Sequence, residues 1–163
     1  MKKLVKFVLG IVASAMVIGA LSGCMSDPVA DDFTKFMNED MVEVNANYEA
    51  LKAESGKWES FETNEEMTNS ISNVILPNIN ESLDKLAAIE PQTDEVKAIK
   101  DLYVKMLNTY KEGYEIMLEA CNTDDETLVD QASAKIEEGL KLLNEYNSAL
   151  EKLAKEKDLE VQY

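Results

Sequence analysis

The chain has 163 residues, with 16 basic and 32 acidic side chains, a formal net charge of −16 and no histidine. Such an acidic chain lacks the basic surface that nucleic acids require and the Lys/Arg clusters that anionic lipid head groups attract. Without histidine there can be no Glu-x-x-His di-iron site, histidine-bound haem, HExxH zinc site or Ser-His-Asp triad. We therefore expect no enzyme, no nucleic-acid partner, no cofactor and no metal site.

The first segment is basic and then apolar: Lys2, Lys3 and Lys6 precede an apolar run from Phe7 to Leu21. This is the layout of a secretory signal peptide. The run of about 15 residues is shorter than the ~20 residues of a transmembrane helix, which is one alternative. An ordinary cleaved signal is the other.

The run ends in Leu21-Ser22-Gly23-Cys24, which resembles the lipobox of bacterial lipoprotein precursors. The resemblance covers residues 1–24 and implies cleavage before Cys24, with a diacylglycerol on its sulfur. It also implies a domain held by that lipid on the extracytoplasmic face of a bacterial membrane. Residues 1–23 would be the signal peptide and residues 24–28 a short tether. Because residues 1–23 hold three of the 16 basic residues and no acidic one, their removal would change the net charge from −16 to −19.

The first predicted helix begins at Ser26 or Asp27 as the N-cap, with Pro28 in the first turn. Its apolar residues are spaced by three or four positions, as on one face of a helix, and the pattern ends near Gly56. These residues are Phe33, Met37, Met41, Val44, Tyr48 and Leu51.

The loop from Gly56 to Glu62 holds two large aromatic residues, Trp58 and Phe61. If exposed, they would form a contact surface for a partner. If buried, they would close one end of the core, and this second interpretation is favoured because aromatic side chains supply large buried areas.

The second predicted helix starts with a capping box, Thr63 to Glu66, and has an apolar stripe from Met67 to Leu86. Pro77 lies inside the pattern and predicts a kink, because proline removes one backbone hydrogen bond. A kink with free carbonyl groups can line a ligand pocket, although it is more often a packing feature. The candidate pocket residues are Asn73, Pro77, Asn78, Tyr103 and Tyr110.

Two longer heptad patterns follow, from Val96 to Ala120 and from Val129 to Leu153, each containing one glycine. Thr93 is the predicted N-cap of the third helix, and Thr123 to Glu126 offers a capping box for the fourth. Close helix packing is the favoured reason for Gly113 and Gly139, and room for a tyrosine is the alternative. Cys121 lies in the third pattern and is expected to be a buried apolar residue. No run has the pattern of a strand, and residues 158–163 are expected to be a frayed tail.

These patterns predict an all-α fold, an antiparallel up-down-up-down four-helix bundle over residues 29–157 with its second helix kinked at Pro77. The expected function is a non-enzymatic, monomeric interaction module for another envelope protein or polymer. A binder of a small ligand or divalent cation with a pocket near Pro77 is one alternative. An acidic surface spacer is the other.

Overall fold

The structure, a computed structural model, describes residues 27–162 and the backbone of residues 16–19. Most of the described chain is helical, which confirms the predicted all-α class. In chain order the elements are β1 (Met16–Gly19), α1 (Pro28–Lys35), a π-helical turn (Phe36–Asp40), α2 (Val42–Ser55), a 3₁₀ turn (Trp58–Ser60), α3 (Asn64–Ser70), a second π-helical turn (Ile71–Ile75), α4 (Leu76–Ala88), α5 (Asp94–Thr123), α6 (Glu126–Glu156) and β2 (Leu159–Gln162).

Each π-helical turn lies where the apolar residues are repeatedly spaced by four positions. An α-helix has 3.6 residues per turn, so side chains repeatedly spaced by four residues drift away from one face of the helix. A π-helical turn contains one additional residue and so keeps these side chains on the same face. The Met41 amide accordingly donates to the Phe36 carbonyl at 2.9 Å, and the Leu76 amide donates to the Ile71 carbonyl. The side chains on these steps all stay buried: Phe33, Met37, Met41, Met67, Ile71, Ile75 and Ile79.

Pro77 does not interrupt the helical backbone. It lies in the first turn of α4, directly after the second π-helical turn, where the hydrogen-bond pattern changes. The side-chain amide of Asn78 donates to the Val74 carbonyl at 2.8 Å. The irregularity expected at Pro77 therefore takes the form of a π-helical turn just before it.

Three of the four predicted N-cap positions are confirmed and one is wrong. Asp27 caps α1, and Thr63 and Glu66 form the capping box of α3. Thr93 is the N-cap residue of α5, although its side chain makes no capping hydrogen bond. Thr123 instead ends α5, and its hydroxyl donates to the Glu119 carbonyl at 2.8 Å. Asp125 caps α6 by accepting from the Thr127 amide at 2.8 Å, because a left-handed residue, Asp124, first turns the chain.

Three side-chain contacts between distant residues define the two ends of the domain. One end is called the Asp27 end, because Lys157 Nζ lies 2.8 Å from Asp27 Oδ2 there. Asp32, in α1, is bonded to Thr93 just before α5. At the Asp124 end, Asn64 Nδ2 donates to Asp124 Oδ1 at 3.2 Å. The 31 residues of α6 run between these ends, a length of about 46 Å.

Residues 159–162 are not frayed, which corrects the prediction for the tail. They form β2, which pairs antiparallel with β1 in the register Met16 to Gln162 and Gly19 to Leu159. Leu159 and Val161 pack against the core while the two residues between and after them are exposed. This alternation is a short strand pattern, and its partner lies more than a hundred residues earlier in the sequence.

No helix in the described part of the chain is long and apolar enough to span a membrane.

Candidate functional sites

The predicted lipidation site, Cys24, and the rest of the lipobox lie outside the described residues. The first residue described with its side chain is Asp27, the third residue after Cys24. Its carboxylate accepts from the amides of Val29 at 2.9 Å and Ala30 at 3.3 Å, and also from Lys157 Nζ. The hydrogen bond from Lys157 is the main reason why the pKa of Asp27 is lowered. The first helix cap therefore lies three residues after the predicted anchor in the sequence and is fastened to the end of α6.

Trp58 is inside the domain, with only 2% of its surface exposed. Its indole Nε1 donates to Ser70 Oγ at 2.8 Å, and its ring meets the Tyr114 ring edge to face, with centroids 5.7 Å apart. Phe61 is partly buried and packs against the same core. The hypothesis of an exposed aromatic contact at Trp58 and Phe61 is therefore corrected: the two rings close the core near the Asp124 end.

The five candidate pocket residues are not brought together. Asn73 and Pro77 are exposed, whereas Tyr103 and Tyr110 are completely buried. Asn78 uses its side-chain amide on the backbone of its own helix. The hypothesis of one pocket lined by all five is therefore wrong, because the heptad pattern of α5 directs the tyrosines into the core while Asn73 and Pro77 face outward.

Five of the six tyrosines lie in the core, and neighbouring tyrosines help to raise the pKa of Tyr103 and of Tyr110. They are Tyr48, Tyr103, Tyr110, Tyr114 and Tyr146. Tyr103 and Tyr146 are in edge contact, with centroids 4.9 Å apart. Burial raises the pKa of Tyr103 well above its ordinary value, and its hydroxyl has no hydrogen-bond partner among the described residues. The core therefore contains a polar atom whose burial is uncompensated within the described chain.

Asp32 is a buried carboxylate that no local sequence pattern indicates. It is 9% exposed, and one oxygen accepts from the amides of Gln92 at 2.9 Å and Thr93 at 2.8 Å and from the Thr93 hydroxyl at 2.7 Å. Burial by itself raises the pKa of Asp32. These hydrogen bonds together lower the pKa by more than burial raises it, so the net shift is downward. A carboxylate at a helix N-terminus also interacts favourably with the helix dipole. Asp32 therefore fastens α1 to the start of α5.

An open cleft of about 450 Å³ lies beside this contact, at the connection between α4 and α5. One of its two lining lysines, Lys100, donates to the carbonyls of Ile89 at 2.8 Å and Leu86 at 3.3 Å. Lys100 therefore supplies hydrogen bonds to backbone carbonyl groups at the end of α4, and its ammonium group already has these partners. The lining residues are Glu90, Pro91, Gln92, Lys97, Lys100 and Asp101.

Cys121 is buried as predicted, and burial raises the pKa of its thiol. A raised thiol pKa lowers the thiolate fraction on which cysteine nucleophilicity depends. Among the described residues, no group of three or more cysteine, aspartate or glutamate side chains is placed to hold a metal ion.

Comparison of the chain with protein family models, curated proteins and solved structures finds no match.

Proposed function

We propose that the chain is a non-enzymatic lipoprotein, anchored through Cys24 on the extracytoplasmic face of a bacterial membrane, and that it acts as an interaction module for another envelope component. The observation that carries the proposal is the lipobox Leu21 to Cys24, which ends three residues before the helix cap Asp27. A single acyl chain binds membranes only marginally, so the two chains of a diacylglycerol supply the attachment.

We further propose that the helices run up, down, up and down as an antiparallel bundle. The contacts at the two ends support this arrangement. The hydrogen bond from Thr93 to Asp32 brings the start of α5 to α1, and the hydrogen bond from Asn64 to Asp124 brings the start of α3 to the end of α5. In the anchored protein the Asp27 end then lies at the membrane and the Asp124 end points away from it.

The surface composition favours contact through polar groups and backbone. Among the described side chains, Val42 is the one large apolar residue that is exposed, at 55%. A single exposed valine is ordinary and does not make an apolar contact patch. The same observation favours a second candidate function, an acidic spacer that holds other molecules apart by charge repulsion.

The anchor is tested by growing cells with an alkyne-tagged fatty acid and following label on the protein. Wild type should carry the label and fractionate with membranes, and Cys24→Ser should lose both properties. Cys121→Ser is the matched control, because it removes the other cysteine and leaves the lipobox intact. Equal labelling of wild type and Cys24→Ser would contradict lipid anchoring.

The interaction role is tested by chemical crosslinking in intact cells, followed by mass spectrometry. An interaction module should give one reproducible crosslinked partner from the anchored protein. The spacer function predicts no specific crosslink and an effect that depends on charge, so replacing exposed acidic residues with amides should abolish it.

A further inference from the structure

The pair formed by β1 and β2 joins a segment that is predicted to be cleaved off with a segment that the processed protein keeps. β1 lies within residues 1–23, which the lipobox marks for removal, and β2 lies at the other end of the described chain. The backbone of β1 lies beside α1 and the first π-helical turn, and β2 lies beside α6. The strand that completes this sheet is therefore one that the processed protein would lack.

β2 has its own reason to stay in place when β1 is removed. Leu159 and Val161 pack against the core, and the left-handed residue Asp158 turns the chain from α6 into the strand. Removal of β1 would leave the facing backbone N–H and C=O groups of β2 without their strand partner. An unpaired strand edge of this kind is a template for pairing with another extended chain.

We propose that this edge of β2 binds an extended, uncharged apolar segment of a partner protein, which pairs antiparallel with β2 in the place of β1. The inference rests on the proposed lipoprotein processing, because an uncleaved chain already covers the edge. Main-chain hydrogen bonds would supply the affinity, as in other cases of strand addition, and side chains on alternate positions would supply the specificity.

The chemistry of the partner segment follows from the strand that the structure places there. β1 reads Met-Val-Ile-Gly and carries no charge. Directly opposed residues of an antiparallel pair lie on the same face of the sheet. A partner residue opposite Val161 therefore faces the core and should be apolar, whereas one opposite Glu160 faces solvent.

Charge argues against a second copy of this chain as the occupant. After processing, each copy would carry a net charge of −19, since three of the 16 basic residues and none of the 32 acidic ones are lost. Two such copies repel each other, and an uncharged segment does not meet this repulsion.

The test uses residues 24–163 with Cys24→Ser, a chain that keeps every buried apolar residue described, from Phe33 to Ala154. The probe is a synthetic peptide with the sequence of residues 14–21. Binding is measured by calorimetry and by amide hydrogen exchange. We expect saturable binding and exchange at Leu159–Gln162 slowed about tenfold or more, with no change in the middle of α5. A scrambled peptide of the same composition is the control.

Peptides N-methylated at Val17 or at Ile18 make the test specific to strand pairing. Only alternate residues of an antiparallel strand direct their N–H groups to the neighbour, so one of the two peptides should lose binding and the other should keep it. Equal binding by both peptides, or by the scrambled peptide, would overturn the proposal, as would unchanged exchange at β2. A dimer that forms without peptide and protects β2 would assign the edge to a second copy and also overturn it.

The two proposals can fail separately. Absence of fatty-acid labelling at Cys24 would overturn the proposed lipid anchor, whereas the peptide measurement on residues 24–163 would remain valid. Labelling without peptide binding would overturn only the strand-binding site.

Discussion

The Tyr110 ring occupies the space in which a side chain at position 139 would have to lie. A Cβ atom built on Gly139 would be 2.5 Å from both Cδ1 and Cε1 of Tyr110. Tyr110 is completely buried, so its ring has no solvent into which it could turn. Gly139 is therefore required for its small size, and the favoured prediction of close helix packing holds instead at Gly113, where a Cβ would be 2.8 Å from Ile136 Cγ1.

We expect Gly139→Ala to lower the free energy of unfolding by about 1–3 kcal/mol, because overpacking forces the ring and the backbone apart. Urea denaturation of the two proteins measures the difference. Gly56→Ala is the matched control: the nearest atoms to its Cβ would be 3.5 Å away, an ordinary contact. If both substitutions had the same effect, the steric explanation would be wrong.

Asp32→Asn should lower the free energy of unfolding by about 2–3 kcal/mol, since hydrogen bonds to a charged acceptor are stronger than those to a neutral amide. Asp31→Asn is the control for the change in charge, because Asp31 is the exposed neighbour on the same helix. Equal losses for the two variants would show that the contacts with Gln92 and Thr93 contribute nothing.

The effect of Asp32 should also depend on pH. The folded-state pKa of Asp32 is lowered, so its contribution is complete above the unfolded value of about 3.9 and is lost as the pH falls through the lower folded value. The difference between wild type and Asp32→Asn should therefore be constant near neutral pH and shrink below about pH 4. A difference that grew on acidification would contradict this assignment.

Tyr103→Phe should leave the stability unchanged or raise it by about 1 kcal/mol. The Tyr103 hydroxyl is buried without a partner among the described residues, and removing such a group removes its desolvation cost. Thermal unfolding monitored by circular dichroism measures the change. Tyr146→Phe is the comparison, since the Tyr146 hydroxyl lies 3.9 Å from Met37 Sδ. A clear loss of stability in Tyr103→Phe would mean that the hydroxyl is hydrogen-bonded in solution.

The burial of Trp58 can be measured directly, because it is the only tryptophan in the chain. Its fluorescence should be blue-shifted and poorly quenched by acrylamide in the folded protein, and both properties should be lost on unfolding. Trp58→Ala should cost about 3–5 kcal/mol, and Phe61→Ala less, because Phe61 is only partly buried. Strong quenching in the folded state would restore the hypothesis of an exposed contact.

Much of the fold follows from the spacing of apolar residues. The stripes from Phe33 to Leu51 and from Val96 to Ala120 are buried as predicted. The repeated steps of four also indicate the π-helical turns, because a uniform α-helical period of 3.6 residues does not keep such steps on one face. The capping box at Thr63 was readable because both of its partners lie within four residues.

The remaining features depend on contacts between residues far apart in the sequence. Asp32 is the sequence neighbour of Asp31, and only the return of Gln92 and Thr93 to its side gives it three hydrogen bonds. The same is true of β2, whose four residues form a strand because a segment near the start of the chain lies beside them. The alternation in β2 covers only four residues, and no local pattern distinguishes Asp32 from Asp31.

The ion pair between Asp27 and Lys157 has a practical consequence for labelling. A reporter attached after β2 would sit at the Asp27 end, next to the proposed lipid, where the bilayer would obstruct antibodies and proteases. A short tag inserted at Asp124 would stand about 46 Å away, at the far end of α6. In a cell-surface accessibility assay the tag at Asp124 should be detected readily and the one after β2 poorly, and removing the lipid should make the two signals equal.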